Sequence, residues 1–147
     1  EAEKSDTVQL DRDFPNRIFT RVDQSIAMAT LFTAFHLKVK AIATLTESGS
    51  TALWMSRLNC GVPIYALTSQ TGTRYRCALL RDTYPLMVKY VGHDREELLQ
   101  EAENVLVSNG VVNNEDIFPI IGPAFNTIVG GFIGILAAVK VTERIEK

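Results

Sequence analysis

Lys40-Ala41-Ile42-Ala43-Thr44-Leu45-Thr46-Glu47-Ser48-Gly49-Ser50-Thr51-Ala52 decides the fold class. Residues 40–45 are a short apolar run with two β-branched members, the pattern of a buried strand. Thr46 to Thr51 is polar and contains one glycine, so it reads as a turn. A helix follows to about Leu58, where Asn59, Gly61 and Pro63 stop it. A buried strand that enters a helix through a tight polar turn is the first half of a βαβ unit.

Outward from this stretch the alternation continues. Downstream, Ile64-Tyr65-Ala66-Leu67 reads as the next strand, and Thr71-Gly72-Thr73 as the cap of a helix running to about Leu80. Residues 85–90 give a third strand. The helix over 94–109 is the clearest, with Asp94 and Glu97 as a capping-box start and Gly110 as its stop. Leu98, Leu99, Ala102, Val105 and Leu106 form its apolar stripe. Strands over 117–121 and 136–141 complete the set. No helical pattern separates those two, so they are expected to pair antiparallel. Upstream, Val22 to Leu37 has helical periodicity, with Asp23 as N-cap and Ile26, Ala29, Ala34 and Phe35 near one face. The expected fold is α/β, a mostly parallel five-stranded sheet with helices on both faces and its last strand antiparallel. Residues 1–20 read as a linker or leader and 21–147 as the domain.

Composition narrows the function classes. The chain has 147 residues, enough for one domain with a full core and no staple. A net charge of −2 argues against a nucleic-acid partner, which would need a basic patch. Cys60 and Cys77 lack metal-ligand spacing and read as free thiols in a reducing, cytoplasmic compartment. The N-terminus has neither the basic start nor the apolar run of a signal peptide, and it lacks a starting Met, so a fragment or processed product is expected. Residues 117–139 carry no charge and are long enough to span a bilayer, but Pro119, Pro123, Asn126 and four glycines interrupt them. Two buried strands joined by a Gly-rich loop account for the segment, and no membrane partner is expected.

The turn is the candidate site. Free amides and the positive dipole end of the following helix suit an anion. Gly49 admits a close backbone approach, and the hydroxyls of Thr46, Ser48, Ser50 and Thr51 can donate to phosphate oxygens. The competing reading is a Ser/Thr helix cap that binds nothing. The anion-binding turn itself is expected to lie outside the core. No catalytic constellation appears: there is no P-loop lysine and no GxSxG elbow. His36 and His93 read as structural or solvated, and the acidic cluster Asp94, Glu96, Glu97, Glu101 and Glu103 as a solvated helix face. Arg74, Arg76 and Arg81 could meet an anion or a partner, though exposed arginines are usually only that.

Read in order, these segments resemble the C-terminal domain of the pyruvate kinases. The resemblance runs through Val22-Asp23-Gln24-Ser25-Ile26-Ala27-Met28-Ala29, the 40–52 stretch, Ser56-Arg57, Pro63-Ile64-Tyr65-Ala66-Leu67-Thr68, Leu80-Arg81 and Pro85, and covers about residues 22–121. It implies a three-layer α/β/α domain with a mixed five-stranded sheet. It further implies that Thr46, Ser48, Gly49, Ser50 and Thr51 bind the phosphate of an allosteric sugar-phosphate effector, or a nucleotide. Family members are commonly homotetramers that convert phosphoenolpyruvate and ADP to pyruvate and ATP in glycolysis, with Mg²⁺ and K⁺. Their catalytic and metal-binding residues lie in a barrel domain, so this chain alone is expected to be inactive and to hold no cofactor. Its implied partners are its own barrel, further copies of itself and a phosphorylated small molecule. The chain departs from the family at 124–134, which has neither the usual Gly-Ser-Thr-Asn-Thr loop nor a Trp or basic residue. The alternative, from a different class, is a freestanding α/β protein that binds a phosphometabolite and serves no kinase.

Overall fold

A computed structural model of the chain describes residues 16–58, 61–89, 95–113, 118–124 and 134–140. The elements run α1 (Val22–Leu37), β1 (Ile42–Leu45), α2 (Ser50–Leu58), β2 (Ile64–Thr68), α3 (Thr71–Cys77), β3 (Thr83–Met87), α4 (Arg95–Ser108), β4 (Phe118–Ala124) and β5 (Gly134–Lys140). The five strands form one sheet in the order β3-β2-β1-β4-β5. β1 is parallel to both neighbours, with Thr44 opposite Ala66 on β2 and Ile121 on β4. β2 and β3 are also parallel, and β5 runs antiparallel to β4 with Ile120 opposite Ala138.

Strand alternation sends successive side chains to opposite faces and so builds two cores. Ile42, Ile64 and Ile121 join Ala27, Leu31 and Ala34 of α1 and Met55 of α2 on one face. Ala66, Ala52 and Cys77 extend that face toward α3. Ala43, Leu45, Leu67 and Ile120 pack on the other face against Leu98, Ala102 and Leu106 of α4. The result is three layers. α4 closes as its pattern requires: Gly110 sits at φ +69°, its N–H donates to Val107 O, and the Val111 N–H reaches Leu106 O. The Asp94 start of the capping box lies outside the described residues.

The buried face of α1 differs from the expected one. Ala27, Met28, Thr30, Leu31 and Ala34 are buried, whereas Ala29 and Phe35 are exposed. Apolar residues occupy nearly every side of this helix, so periodicity alone does not select the phase. Arg21, not Asp23, holds the N-cap position, without a side-chain cap bond. β3 begins at Thr83 and ends at Met87, earlier than the expected 85–90, with Pro85 inside it opposite Ala66. β3 is an edge strand, where proline's missing N–H is tolerated. In the uncharged 117–139 segment, β4 and β5 pair as strands, and no helix among the described residues is long and apolar enough to cross a membrane. The intervening 125–133 lie outside the described residues, as do Cys60 and His93.

A candidate anion-binding turn at the switch point of the sheet

β1 delivers the turn to the carboxyl edge of the sheet. The Thr46 N–H donates to Leu67 O at 2.9 Å, one residue past the last residue of β1. From β1 the chain winds to β2 and β3 on one side, while β4 lies on the other. The gap between β1 and β4 is therefore the topological switch point, where open α/β sheets hold ligands outside their strand ends.

Thr46 is buried, and its hydroxyl accepts the Gly49 N–H at 2.8 Å. Gly49 lies at φ +83°, a conformation L side chains rarely adopt, and its carbonyl accepts the Leu53 N–H at 3.0 Å. Gly49 thus occupies the N-cap position of α2. The Ser48 hydroxyl accepts the Ser50 N–H at 3.3 Å and lies 3.2 Å from the Ser50 hydroxyl. The amides of Thr51 and Ala52 fall in the first turn of α2, where no intrahelical carbonyl is available. Of the five expected cradle residues, Thr46 and Gly49 form a buried frame. Ser48 is exposed and Ser50 and Thr51 half-buried, so these three form the rim.

The frame is not outside the core, contrary to expectation. An added Cβ at Gly49 would lie 3.1 Å from Cys77 Sγ and 3.5 Å from Thr73 Cγ2, so α3 forms the wall behind the turn. Thr73 does not cap its own helix. It is buried, and its hydroxyl donates across 26 residues to Glu47 O. Arg76 Nη2 donates to Thr73 Oγ1 at 2.8 Å. Burial pushes the Cys77 thiol up from its ordinary range, and the neighbouring Arg76 charge opposes that shift. Thr73 and Cys77 had no signal as site residues in the sequence, because their role depends on contacts with a segment far away along the chain.

The other candidates are not brought to this wall. Arg81 has its Nε 3.8 Å from Asp82, and its carbonyl accepts the Ser56 hydroxyl at 2.9 Å. Arg74 is exposed. His36 packs against the rings of Phe32 and Phe35, at 4.2 and 5.4 Å between centroids. Glu97 is exposed and Glu101 and Glu103 are half-buried, while Asp94 and the Glu96 side chain lie outside the described residues. Among the described residues no group of three or more His, Cys, Asp or Glu side chains is placed to hold a metal ion.

Comparison with known proteins agrees with this architecture. Residues 24–125 match the family model described as pyruvate kinase, alpha/beta domain. A pyruvate kinase of Buchnera aphidicola (from Schizaphis graminum) is 36% identical over 119 residues, covering 79% of this chain and 24% of that protein. Pyruvate kinase II of Salmonella typhimurium is 35% identical over 117 residues, again 79% of this chain and 24% of the relative. The chain therefore spans about a quarter of the length of these relatives. Among solved structures, Cryptosporidium parvum pyruvate kinase in complex with ADP superposes with a TM-score of 0.73 at 18% identity, covering 87% of this chain and 27% of that one. That likeness concerns the fold. The family match extends from α1 through β4 and takes in the whole turn, so this chain belongs to the pyruvate kinase C-terminal α/β domain family.

Proposed function

We propose that this chain is the regulatory and assembly module of a pyruvate kinase, and that its β1–α2 turn takes the phosphate of a phosphorylated small-molecule effector. The observation that carries the reading is the position of the turn: a helix N-terminus framed by Gly49 at the switch point between β1 and β4. The Thr51 and Ala52 amides, the dipole of α2 and the rim hydroxyls of Ser48, Ser50 and Thr51 supply donors without requiring a lysine.

The parent enzyme would transfer phosphoryl from phosphoenolpyruvate to ADP, in the cytoplasm and as a homo-oligomer. Its Mg²⁺, K⁺ and nucleotide contacts would lie in the barrel, and no residue of this chain is assigned to them. Alone, the chain should form no pyruvate from phosphoenolpyruvate and ADP. Turnover by pure chain above a protein-free blank in a coupled assay would overturn that part. The effector reading is tested by calorimetric titration with sugar phosphates, nucleotides and inorganic phosphate. Saturable binding of a phosphorylated ligand that weakens in Thr51→Ala supports it, and no binding by any of them rejects it.

A further inference from the structure

We infer that Thr73 of α3 is a positioning residue for the turn: its hydroxyl fixes the Glu47–Ser48 peptide plane, so that the Ser48 amide joins those of Thr51 and Ala52 as a donor to phosphate. The inference rests on reading the turn as a phosphate site. Thr73 donates its hydroxyl proton to Glu47 O, in the middle of the turn. There is no cis peptide among the described residues, so the Glu47–Ser48 unit is trans and its C=O and N–H point in opposite directions. Holding the carbonyl against Thr73 of α3 therefore turns the Ser48 N–H away from α3, and Ser48 is exposed.

Two neighbours strengthen the hold. Arg76 Nη2 donates to the same Thr73 oxygen at 2.8 Å, and a cationic donor polarises the hydroxyl toward its own acceptor. Thr73 Cγ2 lies 3.5 Å from where a Gly49 Cβ would stand, so methyl and hydroxyl grip adjacent parts of one turn. The peptide plane is thereby fixed before any ligand arrives, and a phosphate need not order it on binding.

A buried hydroxyl could also be satisfied for its own sake, with no effect on binding. Thr73→Val keeps the shape and removes the bond, and Thr73→Ser keeps the bond and removes the methyl. The readouts are amide hydrogen exchange at Ser48 to Ala52 and titration of inorganic phosphate followed at the same amides by NMR. We expect Thr73→Val to speed exchange across the turn and weaken phosphate by about tenfold, the equivalent of one net hydrogen bond. Thr73→Ser should stay within about twofold of wild type, since the same bond remains. Thr73→Val that loses stability yet binds phosphate like wild type overturns the positioning role and leaves the site standing. A wild-type chain whose turn amides do not respond to phosphate rejects the site itself, and the positioning role with it.

Discussion

Gly49 backs directly onto Cys77: a methyl group at Gly49 would sit 3.1 Å from the thiol sulfur, on a residue whose φ is +83°. The turn that offers amides to solvent is thus built against the interior of the protein.

Gly49→Ala should therefore destabilise the chain through two separable causes. Holding alanine in the left-handed region costs about 1–2 kcal/mol, and the contact with Cys77 adds to it. In a Cys77→Ala background the crowding share should disappear, lowering the cost by about 0.5–1 kcal/mol, while the backbone share remains. Urea unfolding of the four proteins measures both. A cost below about 0.5 kcal/mol in the wild-type background would show that the left-handed conformation is not required.

Cys77 should also make stability fall at alkaline pH. Burial raises its folded pKa, with Arg76 opposing. The unfolded thiol releases its proton first as pH rises, so the unfolded state holds fewer protons and gains on the folded one. The contribution is complete below the unfolded pKa of about 8.5 and disappears as pH climbs through the folded value. Above about pH 8.5 the wild type should lose stability faster than Cys77→Ala, and parallel slopes would refute the assignment. Tyr65, also raised by burial and then by Tyr84, adds to the decline only at higher pH.

The sequence revealed more of the architecture than of the site's construction. Four parallel strands and one antiparallel were legible because 42–45, 64–68 and 118–121 are short apolar runs bounded by turn residues. The phase of α1 was not, since Ala29 and Phe35 are as apolar as the buried Ala27 and Leu31. The turn was visible as Ser48-Gly49-Ser50 between a strand and a helix. Its wall was hidden: Thr73 reads as one more capping threonine until β1 and β2 are paired and α3 is laid beside Glu47 and Gly49.

Thr44 offers a test of the core beneath the turn. It is fully buried on the central strand, and its hydroxyl has no hydrogen-bond partner among the described residues. An unpaired buried hydroxyl is costly, while a methyl of the same shape is not. Thr44→Val should therefore raise stability by about 1 kcal/mol, seen as a higher urea midpoint with an unchanged slope. A loss of similar size would mean that the hydroxyl is hydrogen-bonded in solution.

The chain is expected to recognise a single phosphate at this turn. One phosphate at the turn meets the first amides of α2, its dipole and the rim hydroxyls. Thr51→Ala removes one hydroxyl and should weaken a monophosphate by about two- to tenfold, the range of one net hydrogen bond. A second phosphate on the same ligand would need its own cation to bind better, because a charge-assisted bond contributes about 1.5–3 kcal/mol net and a solvated phosphate almost nothing. Residues 124–134, most of which lie outside the described residues, contain no Lys, Arg or His to supply such a cation. The bisphosphate of a sugar should accordingly bind within about threefold of its monophosphate, since residues 124–134 add no charge-assisted contact. Calorimetric titration of both ligands against wild type and Thr51→Ala reads the two effects together. A bisphosphate held more than about tenfold tighter would place a second cation, from elsewhere in the chain or from a neighbouring copy, at the mouth of the site.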